Sequence, residues 1–388
     1  MHIAVLHAFY DILGGGEKLS LMLTKALVDD GHTVDVITTT KVDNNRMKSL
    51  FGTSLDELGA RIIIDTDIGA EKLRDVLKGR FVRLRRLIAY KKFFEKYIDM
   101  NREKYDVLID TQSNAMSGAD ICYIHFPAII EYSIGRPGIH WKLYNMIVKY
   151  YANKYFRRYV GRVLTNSTWT ASMIYRAYNV LADIVYPPVD IDTYISYCNE
   201  NRCTHDEKTI VTVSRFTPEK NLHHIVYLAK LMSDYRFYII GSTNKYSRPV
   251  ITYIRKLVAD LGVENVELVI NAPLRRKLEI MARARYYLHP PFPEHFGMSI
   301  VEAMATGLVP IVYRDGGAYY DIVGRVDDRL SYINIANVAD IIRSIDSNST
   351  LYMMLSKRSA EVSRIFSYDR FRDNILGIVK RIVEVKQL

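Results

Sequence analysis

Short apolar runs alternate with longer segments of helical periodicity along the first half of the chain. Runs of this length, several of them rich in β-branched residues, are typical of strands buried on both faces of a parallel sheet. The predicted strands are Ile3–His7, Thr33–Thr38, Arg61–Asp65, Asp106–Asp110, Ile121–Phe126, Val163–Asn166 and Ile184–Tyr186. Helix-length segments separate these runs, so the pattern predicts an α/β domain.

A second series of the same kind follows a change in composition. Pro187 and Pro188 and a polar stretch at 196–208 precede it. The predicted strands of this series are Thr209–Val213, Arg236–Ile240, Val266–Ile270, Tyr286–His289 and Val309–Tyr313. The chain of 388 residues is long enough for two cores. The pattern therefore predicts two doubly wound domains, and two such sheets facing one another would place a ligand between them.

Composition and cysteine usage exclude several classes of protein. The chain is 49% hydrophobic yet has no apolar run of 18 residues, and its start lacks the basic segment of a signal peptide. We expect no membrane span and no signal peptide. Two of the three cysteines, Cys198 and Cys203, lie in a polar segment without a C-x-x-C pair. The sequence predicts reduced cytoplasmic thiols, with neither a disulfide nor a zinc site.

The net charge of +10 is unevenly placed, with two basic stretches in the predicted first domain. Residues 71–97 interleave basic with apolar and aromatic residues, and a second basic stretch spans 149–162. Such segments form amphipathic helices that attract anionic lipid head groups, or simply solvated helix faces. Nucleic-acid binding would need the same charge, but no binding-module signature accompanies it. We regard contact with a membrane surface as open and nucleic-acid binding as disfavoured.

A glycine-rich loop opens the first predicted helix. Gly14, Gly15 and Gly16 follow the first strand and precede a helix of amphipathic spacing. Glycines there let the backbone approach a phosphate or a sugar at the helix N-terminus, although a flexible turn would look the same. The G-x-G-x-x-G spacing is incomplete and the second strand ends in Thr38-Thr39-Thr40 without an acid. A dinucleotide-dependent dehydrogenase is therefore disfavoured.

Two further segments carry charged residues at strand ends. Arg215 and Lys220 lie in SRFTPEKN, directly after the first strand of the second series. Two fixed cations suit a departing nucleoside diphosphate, although each could also be an ordinary loop residue. Glu294 and Glu302 bracket EHFGMSIVE, where Gly297 precedes a helix. Carboxylates can accept hydrogen bonds from sugar hydroxyl groups, and a helix N-terminus can bind phosphate. Because both features occur together here, the segment favours a sugar nucleotide as ligand.

The motifs GGGE, SRFTPEKN and EHFGMSIVEAMATG, with Gly316-Gly317 after them, resemble those of retaining GT-B glycosyltransferases of family 4. The segments YIHFPAIIEY and VENVELVINAP look closest to α-1,2-mannosyltransferases that extend dolichol-linked oligosaccharides from GDP-mannose. The resemblance implies two Rossmann-like domains around a cleft. It implies residues 1–187 on the acceptor side and 188–368 on the donor side, with a helix at 369–388 that packs back on the first domain.

The same resemblance implies a role for each matching residue. Glu294 would contact the transferred sugar, Glu302 the donor ribose, and Arg215 and Lys220 the diphosphate. His125 would lie near the reacting carbon, although a lone histidine is more often a core or loop residue. The remaining donor-binding residues implied by the resemblance are Gly15, Gly16, Asn271, Phe296, Gly297, Met298 and Ser299.

The resemblance also implies transfer with retention of configuration and without a carboxylate nucleophile. No D-x-D pair lies where a divalent metal would be expected, and Asp327-Asp328 is typical of a polar turn. We expect no cofactor and no metal. The acceptor would be a lipid-linked oligosaccharide or another glycan, at the cytoplasmic face of a membrane. UDP-glucose or UDP-N-acetylglucosamine donors with a soluble acceptor, a glycoside hydrolase and a sugar- or lipid-binding module without turnover remain alternatives.

Overall fold

The computed structural model describes residues 1–11, 13–68, 81–133, 139–158, 161–201, 203–205, 207–243, 247–290 and 292–387. The part of the first basic stretch at 71–80 lies outside these ranges. The chain divides into two compact units, the first made of Met1–Pro188 with Asp369–Leu388 and the second of Val189–Tyr368. Pro188 thus belongs to the first unit, one residue beyond the boundary expected from sequence.

The first unit contains a parallel sheet of seven strands within the described residues. The strands are β1 His2–Leu6, β2 Thr33–Thr38, β3 Arg61–Ile64, β4 Val107–Asp110, β5 Ile121–Ile124, β6 Arg162–Thr165 and β7 Asp183–Ile184. The helices are α1 Gly15–Asp29, α2 Asn44–Phe51, α3 Val82–Phe94, α4 Ala128–Ser133, α5 Ile139–Tyr155 and α6 Thr168–Tyr178. Every residue of β4 and β5 is buried, because helices cover both faces of such a sheet.

The second unit repeats this architecture with six strands in the described part of the chain. They are β8 Glu207–Val213, β9 Arg236–Gly241, β10 Val266–Ile270, β11 Ala284–Leu288, β12 Val309–Tyr313 and β13 Ser331–Tyr332. The helices of this unit are α7 Ile191–Asn201, α8 His223–Leu231, α9 Ser247–Asp260, α10 Leu274–Arg283, α11 Met298–Ala305, α12 Asn337–Asp346 and α13 Ser349–Ser363. The last helix of the chain, α14 Tyr368–Gln387, belongs to the first unit from Asp369 onward.

The strand orders place the ligand-binding edge in each unit. They read β3-β2-β1-β4-β5-β6-β7 and β10-β9-β8-β11-β12-β13. In both, the order reverses beside the first strand of the unit, which is the doubly wound arrangement of Rossmann-like domains. The predicted fold class, two Rossmann-like domains of the GT-B type, is confirmed. Ligands of such sheets bind beyond the carboxyl ends at the reversal, here after β1 and β4 and after β8 and β11.

The expectation of free thiols at Cys198 and Cys203 is wrong, because the structure joins them in a disulfide. Cys198 lies in α7, whereas the sequence predicted a polar stretch without a helix at this position. The chain turns back after this helix, where Cys203 N–H donates to the Cys198 carbonyl at 3.3 Å. The two Cα atoms are then 4.9 Å apart, a separation suited to a disulfide. Cys122 is a buried free thiol.

The C-terminal helix α14 is attached to the first unit. Its Lys386 ammonium donates to the Asp106 carbonyl at 2.7 Å and to the Asp120 carboxylate at 2.8 Å. Ile382 lies beside Gly161, where a side chain would collide with the Asp120 carbonyl. Across the part of the chain that the structure describes, each helix is too short or too polar to span a bilayer.

Candidate active site

The loop after β8 carries the two predicted cations of the second unit. It bonds to the neighbouring strand through Ser214 N–H, which donates to the Ile240 carbonyl at 2.9 Å. That strand ends at Gly241, and the residue there must be glycine because a Cβ would stand 2.0 Å from the Ser214 carbonyl oxygen. Arg215 is exposed, whereas Lys220 ends a 3-10 turn and is half-buried. The loop therefore presents one cation to solvent and one to the interior of the site.

Lys220 forms an ion pair with Glu294, which follows β11. Their side chains are only 13% and 20% exposed, so water screens the pair weakly. The Lys220 ammonium also lies 4.9 Å from the centre of the Phe292 ring, which shields it further. The structure thus brings together two of the predicted site residues, 74 positions apart in sequence.

Two glycines hold the backbone around Glu294. Gly316 pairs with Glu294 in an isolated parallel bridge, and a Cβ on Gly316 would stand 2.4 Å from the Glu294 carbonyl oxygen. Gly297 has φ of +101° and caps α11, a conformation that residues with a Cβ rarely adopt. A Cβ there would stand 2.5 Å from the side chain of Ile300. The two glycines therefore fix where the carboxylate lies relative to α11.

The charge state of Glu294 is set by its neighbours. Burial would raise its pKa, but Lys220 and the nearby histidines His289 and His295 lower it, and the net result is a pKa well below the ordinary value. Glu294 is therefore ionised at neutral pH. A permanently ionised carboxylate accepts hydrogen bonds from sugar hydroxyls but is a poor general acid.

His289 was missed as a site residue because it lies in an apolar run at the end of β11. Its side chain is buried, and its Nε2 lies 3.5 Å from a carboxylate oxygen of Glu294. Neither ring nitrogen has a hydrogen-bond partner among the described residues. Burial lowers the pKa of His289, against the opposing effect of Glu294. A neutral, buried histidine whose ring nitrogens have no hydrogen-bond partner is costly. The Glu294 carboxylate, 3.5 Å from Nε2, is an acceptor that a small movement would bring within hydrogen-bond distance.

Glu302 lies inside α11 and has its own cation. Lys277, from α10, approaches the Glu302 carboxylate at 3.0 Å, and the side chains are 17% and 15% exposed. Burial and the Glu302 carboxylate together raise the pKa of Tyr194, from α7, and the Tyr194 ring lies 5.0 Å from the Lys277 ammonium. Neither Lys277 nor Tyr194 was predicted, because no motif marks them and only the packing of α7 and α10 on α11 brings them there.

The start of α11 combines packing with unpaired backbone donors. Phe296 is buried against Phe366, with ring centres 5.4 Å apart, so its side chain serves the core. The Ser299 hydroxyl lies 3.2 Å from the Val213 carbonyl and 2.8 Å from the Tyr287 hydroxyl. Both contacts lock α11 to β8 and β11. The N–H groups at the start of the helix, at Met298 and the residues beside it, have no acceptor within the helix. They form the positive end of the helix dipole.

Asn271 follows β10 and is exposed. Its N–H donates to the Gly241 carbonyl at 2.8 Å, and its side-chain oxygen accepts from Thr243 N–H at 2.9 Å. With φ of +53°, it forms a tight corner beside the strand that carries Gly241. Asn271 therefore shapes the edge of the sheet, and its amide is already bonded within the protein.

In the first unit, the structure brings two predicted residues together. A Cβ on Gly16 would stand 3.6 Å from Nε2 of His125, so the loop that opens α1 at Gly15 approaches the histidine after β5. His125 N–H donates to the Asn114 side chain at 2.7 Å, and its Nε2 lies 3.1 Å from the Thr111 carbonyl. These bonds hold the imidazole at the carboxyl end of the sheet.

A buried hydrogen-bond network, which the sequence did not predict, lies beside Gly16 and His125. His7 Nδ1 lies 2.9 Å from the Thr111 hydroxyl, which bonds the Leu6 carbonyl at 3.2 Å. Its Nε2 lies 2.9 Å from the Gln112 amide nitrogen and 3.7 Å from Glu17. Glu17 also accepts from Gly14 N–H at 2.9 Å. The glutamate of the GGGE motif therefore shapes the glycine loop and reaches back to β1.

Residues that could hold a metal form one close group within the described ranges. Cys198, Cys203 and His205 offer ligand atoms within 4.8 Å of one another, but the disulfide occupies both sulfurs. Asp327 caps a 3-10 turn by accepting from Arg329 N–H and pairs with the Arg329 guanidinium at 2.8 Å. The expectation of a metal-independent site stays a prediction.

Sequence comparisons find relatives of this chain among known proteins. Residues 198–361 match the family described as glycosyl transferases group 1. The chain is 31% identical over 259 residues to a GDP-Man:Man(3)GlcNAc(2)-PP-Dol alpha-1,2-mannosyltransferase of Homo sapiens, covering 61% of this chain and 52% of that protein. The Dictyostelium discoideum protein of the same name is 24% identical over 302 residues, covering 68% and 59%. The chain thus spans about half the length of the curated relatives it matches.

Solved structures share the fold at low sequence identity. Sucrose-phosphate synthase from Thermosynechococcus elongatus superposes with a TM-score of 0.71 at 15% identity, over 99% of both chains. HepE from Anabaena, solved in complex with UDP, superposes with a TM-score of 0.67 at 16% identity, over the full length of both.

Proposed function

We propose, from the match of residues 198–361 to the family described as glycosyl transferases group 1, that the protein is a retaining hexosyltransferase. It transfers mannose from GDP-mannose to a hydroxyl of a lipid-linked oligosaccharide. The observation that carries this proposal is the shielded Lys220–Glu294 pair beside the start of α11. The names of the relatives describe GDP-mannose-dependent transfer to a dolichol-linked oligosaccharide, which supports the choice of donor and acceptor.

The roles within the second unit follow from charge and burial. Lys220 and the exposed Arg215 would neutralise the charge that grows on the departing diphosphate, with the first N–H groups of α11. Ionised Glu294 would accept hydrogen bonds from hydroxyls of the moving sugar. Glu302, held by Lys277, would accept from the ribose. We assign His125, in the first unit, to the donor sugar near the reacting carbon.

The same charge state speaks against a glycoside hydrolase. That chemistry needs one carboxyl group with a raised pKa as general acid. Glu294 instead has a lowered pKa, and Glu302 is paired with a lysine at 3.0 Å. Both carboxylates are therefore arranged as hydrogen-bond acceptors.

A donor screen tests the proposal. Purified protein is incubated with a dolichol-linked oligosaccharide acceptor and GDP-mannose, UDP-glucose or UDP-N-acetylglucosamine, and release of nucleoside diphosphate is measured. We expect acceptor-dependent GDP release, and the anomeric configuration of the product read by NMR should match that of the donor. Release of UDP alone would select the alternative donors. Donor binding without release under any condition would leave a sugar-binding module.

We further propose that the reaction takes place at the cytoplasmic face of a membrane and requires no divalent metal. A lipid-linked acceptor is held at such a surface, and the cations of the site supply the charge that a metal would otherwise provide. Basic helices of the first unit, including α3 with Lys91 and Lys92 in its last turn, suit anionic head groups.

A further inference from the structure

Helix α5 is apolar on two opposite faces, one of which is exposed. Its inner face places Val148 and Ala152 in the core of the first unit. Ile139, Leu143, Met146 and Tyr150 follow at intervals of four, three and four residues, which puts them on one stripe. Their exposed fractions are 77%, 55%, 62% and 64%. A helix on the surface of a soluble domain normally presents polar residues on this face, so the stripe needs an occupant.

The stripe continues beyond the four residues that define it. Ile147, adjacent to it on the helix, is 41% exposed. At the start of α3, Phe81 and Val82 are also exposed, and the Phe81 ring contacts Tyr144 of α5 at 5.6 Å between ring centres. We call the stripe together with Ile147 the α5 surface; Phe81 packs on the same helix at Tyr144.

The charges around the α5 surface are of one sign. Lys142, Lys149 and Lys154 are exposed and flank the stripe, and α5 contains no acidic residue. In the described part of the chain these three lysines make no ion pair, and Lys154 lies 5.7 Å from the Tyr155 ring centre. Unpaired cations beside an exposed apolar stripe are complementary to a surface with apolar depth and negative charge at its rim.

That combination distinguishes among occupants. A second copy of the chain would bring the same lysines against one another across a two-fold axis, which repels. Single-stranded nucleic acid binds by stacking its bases on aromatic faces, and of the four residues that define the stripe only Tyr150 is aromatic. Acyl chains with anionic head groups satisfy both parts of the surface.

We propose that the α5 surface inserts its apolar stripe into the interface of an anionic lipid bilayer, with the flanking lysines at the head groups. This inference concerns a surface outside the candidate active site and holds whether or not the proposed transfer is confirmed. It fixes which face of the first unit meets the membrane.

The test is sedimentation of the whole protein with vesicles, in the absence of any substrate. Vesicles of phosphatidylcholine alone are compared with vesicles of phosphatidylcholine and phosphatidylglycerol, at low and at high salt. We expect binding to the mixed vesicles that weakens with salt. The variant Leu143→Glu with Met146→Glu should lower the partition constant by at least about tenfold. Replacing Lys142 and Lys149 by serine should lower it about fivefold per lysine, on the mixed vesicles only.

Leu181→Glu provides the matched control, because Leu181 is 86% exposed in the same unit and lies outside the α5 surface. It should bind as the wild type does, and thermal unfolding should show all variants folded. Absence of wild-type binding to both vesicle types, or equal binding by the Leu143/Met146 variant, would overturn the proposal. So would sedimentation equilibrium showing a wild-type dimer that this variant converts to a monomer, since a second copy would then cover the surface.

Discussion

Replacing Lys220 by methionine tests the core of the candidate site, because it removes the cation and keeps the length of the side chain. Breaking a buried ion pair by deleting one partner costs about 3–5 kcal/mol. The side chains of this pair are 13% and 20% exposed, so solvent screening reduces the expected loss to about 2 kcal/mol. Transfer should fall about 100-fold or more in kcat/KM, because a fixed charge that stabilises the leaving group is lost.

The pH dependence of stability separates the ion pair from general packing. The pKa of Glu294 is lowered in the folded wild type. Its contribution to stability is therefore complete above the unfolded pKa of about 4.3 and is lost as the pH falls through the lower folded pKa. Replacing Lys220 removes the largest of the effects that lower this pKa, so we expect burial to raise the folded pKa of Glu294 in the variant. The variant should then lose stability as the pH rises from about 4, whereas the wild type should not.

Urea unfolding at several pH values measures this difference, and a double variant completes the design. Adding Glu294→Gln to Lys220→Met removes the uncompensated carboxylate, so stability should recover in part while transfer stays low. Arg215→Met is the matched control, because Arg215 is exposed; it should alter stability by less than about 0.5 kcal/mol. A pH-independent stability difference, or transfer by Lys220→Met within about threefold of wild type, would refute the reasoning.

Four further predictions follow from the same site. Glu302→Gln should raise KM for the donor with little change in kcat, because ribose binding is lost equally from ground and transition states; an equal fall in kcat would contradict this. His289→Asn should lower kcat while circular dichroism and donor affinity stay near wild type, since we propose that its neighbour Glu294 contacts the moving sugar. Gly316→Ala should abolish transfer and lower the melting temperature, because the added Cβ meets the Glu294 backbone. EDTA treatment should leave initial rates unchanged, and restoration of a lost rate by magnesium would disprove metal independence.

Much of the fold could be predicted because the strands obey a local rule. Thr33–Thr38, Val266–Ile270 and Val309–Tyr313 were predicted with the bounds that the structure shows, since continuous apolar runs identify buried parallel strands. The two-residue strand β13 was not predicted, because its length is too short for any periodicity. Helix α7 was missed for a related reason: only Ile191 and Tyr194 are buried in it, and the polar remainder resembled a linker.

The candidate site divides along the same line. Lys220, Glu294 and Gly297 lie in short contiguous motifs. Their residue types indicate which ligand groups they could bind, so they could be predicted from the sequence alone. Their partners come from elsewhere in the chain, and a single sequence does not encode which helix faces meet. Lys277 illustrates this: within α10 it is one of several basic residues, and only the packing of that helix places its ammonium 3.0 Å from Glu302. The disulfide is a second example. The polar segment around Cys198 and Cys203 predicted free thiols, but the turn after α7 places their Cα atoms 4.9 Å apart. Motifs thus locate the charges that face a ligand, while tertiary packing decides how strongly each is held.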